Sequence, residues 1–304
     1  MTAGVTAVTV SLTPLGWATS SGPDQQTRGG VMQRLSVNGV ELDYEVTGSG
    51  EPVLLISSVL ADGLLPLVAQ PALADRYQVI RYHRRGWVGS THTPPPVGVA
   101  DHAADAAGIL DHLGLARAHV AGHSTGAVIA TQLALDDPEI AETLLLLEPF
   151  VLSVPSGAAV LQQAGPAFEA YGRGDHEGAW AAFLTAASGL EWSTCRAVLE
   201  ERVPGVVAQA VKDADTCFGV ELPAMAEWAF GPEQAGAVRC PVLSVLGAAT
   251  LPFFVEVAAL LRSSVPDLEE RTIEGVGHLL HLQRPEPVAR AMGDFLSGHP
   301  MARG

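Results

Sequence analysis

Residues His119-Val-Ala-Gly122-His123-Ser124-Thr125-Gly126-Ala127-Val-Ile-Ala-Thr-Gln-Leu-Ala-Leu135 decide how this chain is read. His119–Gly122 is a short apolar run with the character of a buried strand. From Gly126 to Leu135 the pattern is helical. Between them lies Gly122-His123-Ser124-Thr125-Gly126, a G-x-S-x-G pattern that carries little weight alone and much more at a strand-to-helix turn. Such a turn pushes the Ser124 hydroxyl out of the sheet, and the flanking glycines remove side chains that would clash there. The N–H of Thr125, at a helix N-terminus, is placed to donate to a developing oxyanion. His123 reads as a packing residue within the turn.

Outward from this stretch, strands alternate with helices. Gln33–Asn38 and Val40–Thr47 alternate apolar and polar residues around Asn38-Gly39, a two-residue hairpin signal. Buried strands are expected at Val53–Ser57, Gln78–Tyr82, His119–Gly122, Thr143–Leu147, Val242–Leu246 and Arg271–Glu274. Helical periodicity marks Asp101–Leu113, Ala127–Leu135 and Pro287–Leu296. The fold class is therefore α/β: a mostly parallel sheet of about eight strands, helices on both faces, led by an antiparallel hairpin. From about Phe150 to Val238 the strands stop. Ala-rich amphipathic segments such as Gly157–Tyr171 and Gly178–Ala187 replace them. The expected division is a flexible tail at 1–31, a core of 32–148 and 239–304, and a helical lid at 149–238. The lid would cover the end of the sheet where α/β proteins bind ligands.

Composition narrows the function. The chain has 304 residues, 48% hydrophobic and 16% charged, with a formal net charge of −16. That composition fits a globular chain, and the acidic surface repels phosphate backbones, so no nucleic-acid partner is expected. No apolar run reaches the roughly 18–20 residues of a spanning helix, so no membrane partner is expected either. Cys195, Cys217 and Cys240 lack C-x-x-C spacing, which suits a reducing cytoplasm. The first arginine is Arg28, so the N-terminus lacks the basic start of a secretory signal. No dinucleotide fingerprint or P-loop occurs, so no cofactor is implied.

His278, in Gly275-Val-Gly-His278, follows the last expected strand and supplies the base that a serine nucleophile requires. The order, serine first and histidine on the final loop, is the hydrolase order. His281, three residues on, suggests a metal ligand, but no acidic or cysteine partner is spaced with it, and no metal site is expected.

From Gln33 to the C-terminus the chain resembles the α/β-hydrolase superfamily, in its lidded serine-hydrolase branch. Beside the Gly122–Gly126 elbow and His278, Tyr82-His83-Arg84-Arg85-Gly86-Trp87-Val88-Gly89-Ser90 looks like that superfamily's Y-D-x-R-G-x-G-x-S turn, with His83 in place of aspartate. Two departures stand out. After the third strand the superfamily usually has His-Gly-x, whose last residue gives the second oxyanion N–H; here the residues are Ser57-Ser58-Val59, which leaves Val59 as donor. The loss of glycine at Ser58 matters if that position needs φ > 0. The usual acid lies in G-x-x-D after the seventh strand; here Gly247-Ala-Ala-Thr250 ends in threonine. Glu148, at the end of the sixth strand, is the favoured replacement, with a solvated glutamate starting the lid as the alternative and Asp62 as a weaker acid. The resemblance implies a hydrolase of a small, largely apolar ester or lactone, working through an acyl-enzyme on Ser124. Non-hydrolytic chemistry (cyclisation, elimination or acyl transfer) and a catalytically silent ligand binder are the alternatives. The expected partner is a small-molecule substrate; the oligomeric state is left open.

Overall fold

The computed structural model describes residues 31–302. The expected N-terminal tail, apart from Val31, lies outside the described residues.

Eight strands form one sheet: β1 (Gln33–Val37), β2 (Val40–Gly48), β3 (Glu51–Ile56), β4 (Tyr77–Tyr82), β5 (Ala118–His123), β6 (Ala141–Leu147), β7 (Val242–Gly247) and β8 (Leu268–Ile273). Their order across the sheet is β1-β2-β4-β3-β5-β6-β7-β8. β1 and β2 form the antiparallel hairpin, turning at Asn38 and Gly39, which both have positive φ as a type I′ turn requires. β2 meets β4 antiparallel, and every later pairing is parallel.

The parallel strands are apolar on both sides because helices cover both faces. Leu54, Ile56, Val120, Leu144 and Leu146 face one core with the helices Val99–His112, Thr125–Asp136 and Pro252–Ser264. Their neighbours Val53, Leu55, Ala121, Leu145 and Leu147 face the other, filled by Val288, Met292, Phe295 and Leu296 of the helix Pro285–Gly298. The period-2 alternation of strand side chains thus divides one apolar run between two cores.

Helices occupy the interval between β6 and β7, from Gly157 to Ala237. They pack on Val59, Leu60 and Trp87, in loops that follow β3 and β4, and on Leu279 and Leu282, in the loop and short helix that follow β8. All of these loops leave the carboxyl ends of their strands, where the elbow also lies.

The structure corrects three expectations. The segment Gly157–Tyr171 is two helices, Gly157–Gln163 and Gly165–Gly172, because Pro166 lacks the N–H to continue the first. The last strand runs Leu268–Ile273, earlier than expected. It is an edge strand whose Glu269, Glu270 and Arg271 are held in surface ion pairs, so its apolar signal is weak. The helix Pro252–Ser264 was not anticipated, although Phe253, Phe254, Val257, Ala258 and Leu261 recur at helical spacing and are buried.

Candidate active site

Ser124 sits between β5 and the helix Thr125–Asp136 with φ 54° and ψ −117°, a conformation that L-residues avoid and that marks a strained functional turn. The chain must come close here. A Cβ at Gly126 would lie 2.2 Å from the Ile56 carbonyl oxygen and 2.6 Å from that of Ser57; one at Gly122 would lie 2.3 Å from the Gly126 carbonyl oxygen. Only glycine fits at either place. The elbow is also tied to β6: the Ser124 N–H donates to the Leu147 carbonyl at 3.0 Å, and the Phe150 N–H donates to the Ser124 carbonyl at 3.3 Å.

Three side chains expected to act together do meet. His278 Nε2 lies 3.1 Å from Ser124 Oγ, and His278 Nδ1 lies 2.8 Å from Glu148 Oε2. Ser124 is 7% exposed, His278 5% and Glu148 1%, so the whole chain of contacts lies within protein. Glu148 has φ 45°, which ends β6 in a left-handed turn. Its carboxylate is fully occupied. Oε1 accepts the Gly247 N–H at 2.7 Å, and Oε2 accepts the Thr250 hydroxyl at 2.9 Å as well as facing His278. The solvated-glutamate alternative does not fit this burial. Thr250, standing where the superfamily's acid is usual, is therefore a hydrogen-bond donor to the carboxylate that faces His278; sequence reasoning missed that role.

Asp62 does not reach His278. It pairs with Arg81 at 2.8 Å and with His83 Nε2 at 3.0 Å. Burial pushes its carboxyl up, but His83 and Arg81 together hold it below the usual range.

Aromatic rings fix the histidine. Phe254 stacks on His278 with centroids 4.1 Å apart and planes 11° apart. Behind it, the His123 Nε2–H donates to the His278 carbonyl at 2.9 Å; a carbonyl only accepts, so Nε2 carries the proton. His281 packs against His123 with centroids 3.9 Å apart. Burial lowers both rings, His123 well below its ordinary value and His281 to about 3, so both are neutral packing groups.

Thr125 is the first residue of its helix, so its N–H has no intrahelical acceptor. Among the described residues, Ser58 is not one of those with positive φ. A glycine is therefore not required there, and Ser57-Ser58-Val59 is an unstrained loop. In the β4 loop the strained residue is Val88, at φ 53°.

An apolar cavity of about 100 Å³ is walled by Phe150, Phe183, Leu222, Leu251, Phe253 and Phe254 among others. Phe254 joins it to the site by stacking on His278, and Phe150 by donating its N–H to the Ser124 carbonyl. A larger one, about 220 Å³, is walled by Val59, Asp62 and Trp87 among others; Ser124, His278 and Glu148 line neither cavity.

Residues 54–291 match the Alpha/beta hydrolase family. The chain belongs to that family. Its similarity to the "Putative carbamate hydrolase RutD" of Klebsiella pneumoniae is 27% identity over 258 residues, 84% of this chain and 95% of that protein. The protein of the same name from Caulobacter vibrioides is 39% identical over 114 residues, 36% of this chain; the match spans only 42% of that relative's length. In three dimensions the chain is similar to a thermophilic esterase from Thermogutta terrifontis, with a TM-score of 0.74 and 24% identity over 88% of this chain and all of that one. It is also similar to the enol-lactonase from Burkholderia xenovorans, with a TM-score of 0.69 and 21% identity over 87% of this chain and all of that one. At these identities the solved structures speak for the fold. Among the described residues, no helix is long and apolar enough to cross a membrane.

Proposed function

We propose that this enzyme is a serine hydrolase that cleaves a small, largely apolar carboxylic ester or lactone through an acyl-enzyme on Ser124. The observation that carries the reading is the unbroken contact chain from Ser124 Oγ through both His278 nitrogens to Glu148. Ser124 Oγ attacks the carbonyl carbon as His278 Nε2 takes its proton. Glu148 keeps the proton on Nδ1, so Nε2 is free to accept, and it stabilises the imidazolium that forms. The tetrahedral oxyanion is received by the N–H groups of Thr125 and Val59. As the intermediate collapses, His278 returns the proton to the departing oxygen; water, activated by the same imidazole, then releases the acid. The apolar cavity whose wall residue Phe254 stacks on His278 favours an acyl or alcohol group without charge. The helices between β6 and β7 act as a lid over this site.

A carbamate is the second reading, favoured by the name of the RutD relatives. The same machinery would expel the alcohol of a carbamate ester, which takes the proton from His278, and leave a carbamoyl-enzyme on Ser124. Water would then release the carbamic acid, which breaks down to carbon dioxide and an amine or ammonia. Non-hydrolytic chemistry and silent binding lose ground, because an acid faces His278 and the oxyanion loop is unstrained.

Active-site titration with a fluorophosphonate, followed by intact mass, tests the reading. Wild type is expected to gain one adduct rapidly, and Ser124→Ala to gain none while remaining folded. Hydrolysis of p-nitrophenyl esters, lactones and carbamates by wild type then ranks the substrate classes. A folded wild type that takes no label, or a Ser124→Ala variant that still turns over, overturns it.

A further inference from the structure

The β4 loop carries a buried cation that the reaction described above does not use. Arg84 is 1% exposed, and its guanidinium divides between two partners. Nη2 donates to the Ser58 carbonyl at 2.7 Å, while Nη1 pairs with Glu221. Glu221 is completely buried and ends a π-helical turn, Cys217–Glu221, in the helical segment inserted between β6 and β7. Such turns are rare and concentrate at functional sites. Glu221 also accepts the Trp87 indole N–H at 2.8 Å. Burial pushes the Glu221 carboxyl up, but Arg84 and His102, with the hydrogen bonds from Arg84 and Trp87, hold it below its ordinary range. Two further contacts join the same pieces: the Thr216 hydroxyl donates to the Gly86 carbonyl at 2.6 Å, and the Val88 N–H donates to Asp213 at 3.3 Å. Residues 213–221 thus grip the β4 loop at three points, and the loop in turn grips Ser58.

Ser58 C=O and Val59 N–H belong to one peptide unit. That unit is planar, and among the described residues the cis bond is Pro95-Pro96, so the Ser58–Val59 bond is trans. In a trans peptide the carbonyl and the N–H point in opposite directions. Whatever fixes the Ser58 carbonyl therefore aims the Val59 N–H. We infer that Arg84, seated by Glu221 of the inserted helical segment, is a positioning residue that aims the Val59 N–H as an oxyanion donor and so couples the docking of that segment to turnover. The inference rests on the serine-hydrolase reading given above. It accounts for serine at position 58, since the peptide is oriented from outside by Arg84 and not by a glycine conformation. It also accounts for arginine at position 84. A guanidinium is always charged and presents donors in fixed, divergent directions, and a lysine ammonium cannot hold both partners in the same geometry. A charged donor on the carbonyl further polarises the peptide, which strengthens the N–H as a donor.

The test uses Arg84→Lys, Glu221→Gln and the double variant Arg84→Met/Glu221→Gln. The double variant removes both charges together and leaves no unpaired buried ion to unfold the protein. Two measurements are made on the full-length enzyme. Amide hydrogen exchange of residues 57–61 is expected to quicken at least about tenfold. Turnover of a p-nitrophenyl ester per titrated active site is expected to fall about 10–100-fold in kcat with KM within about threefold, as for partial loss of one oxyanion donor. The pH profile of kcat/KM should not move, because the Ser124–His278–Glu148 contacts are untouched. Unchanged exchange in the folded double variant overturns the tie. Faster exchange with unchanged kcat per site overturns the oxyanion role. A wild type that fluorophosphonate does not label overturns the serine-hydrolase reading and the oxyanion role with it, whereas the exchange data still decide the tie.

Discussion

Glu148→Gln isolates the acid with the least change in shape. The native carboxylate accepts from three donors: the Gly247 N–H, the Thr250 hydroxyl and His278 Nδ1. An amide has one oxygen and one NH2, and neither orientation serves all three. With its oxygen towards His278, the NH2 meets the Gly247 N–H, two donors face to face at 2.7 Å. With its oxygen towards Gly247, the NH2 faces Nδ1, which must then be unprotonated. The proton moves to Nε2, and Nε2 no longer accepts from Ser124. Loss of the correct tautomer and of the counter-charge costs a triad enzyme about four orders of magnitude in kcat, or about 5 kcal/mol of transition-state stabilisation. Burst kinetics with a p-nitrophenyl ester, normalised to titrated sites, should show acylation slowed by that factor with little change in KM. The Thr250 side chain lies 2.9 Å from the same carboxylate oxygen, so Glu148→Gln/Thr250→Asp should recover at least about tenfold of the loss. A Glu148→Gln enzyme within tenfold of wild type would refute the assignment of the acid.

Gly126→Ala puts a methyl group against two backbone carbonyls and is expected to cost about 3 kcal/mol, read as a lower midpoint in urea with an unchanged slope. Val88→Gly removes a β-branched side chain from a left-handed conformation and should raise stability by about 1 kcal/mol in the same assay. Acid should destabilise the fold well before its carboxylates protonate. Burial lowers His102 to about 4 and His281 to about 3 from an ordinary 6.5, so between those values and 6.5 the unfolded chain binds protons that the folded one refuses. Stability therefore falls as pH drops through that window, by about 2 kcal/mol per histidine from pH 8 to pH 5. His123, also lowered by burial, adds to the fall in the same direction. His281→Asn should remove its own share, about 2 kcal/mol, measured by urea midpoints across the range, and an unchanged slope with pH would count against burial as its cause.

The sheet was legible because its signals are local. Asn38-Gly39 announces a hairpin, and the elbow announces its own strand and helix. The apolar runs of β3, β5 and β6 need helices on both faces. β8 is hard to place because an edge strand keeps its charges, and the break within Gly157–Tyr171 is hidden because Pro166 falls inside an amphipathic pattern. Ser124 and His278 carry motifs. Glu148 had only its place at the end of a strand to recommend it, and its meeting with His278 spans 130 residues of sequence. The pairing of Arg84 with Glu221 spans 137 residues and joins the sheet to the inserted segment, a contact that no periodicity encodes.

Two departures from the superfamily pattern follow one physical logic. Where the β4 turn usually has aspartate, this chain has His83, and the carboxylate comes from Asp62 on the loop after β3, 3.0 Å from His83 Nε2. Where the loop after β7 usually has its acid, this chain has Thr250, and the carboxylate comes from Glu148 after β6, bound by the threonine hydroxyl. In each place a negative charge is kept within hydrogen-bond reach of the motif position, while the backbone that delivers it changes. Electrostatic interactions act on the position of a charge and not on its chain of origin, so a neighbouring loop can supply either group. The same reasoning fits the third departure, where Arg84 orients the Ser58–Val59 peptide from outside and no glycine is needed. An enzyme with every one of these substitutions should therefore turn over as a hydrolase, and reverting Thr250 to aspartate in the wild-type background should not improve it. A second carboxylate beside Glu148 would instead repel it, raise the pKa of one of the pair and lower stability. If Thr250→Asp alone accelerates acylation, Glu148 is not an adequate acid and the compensation fails.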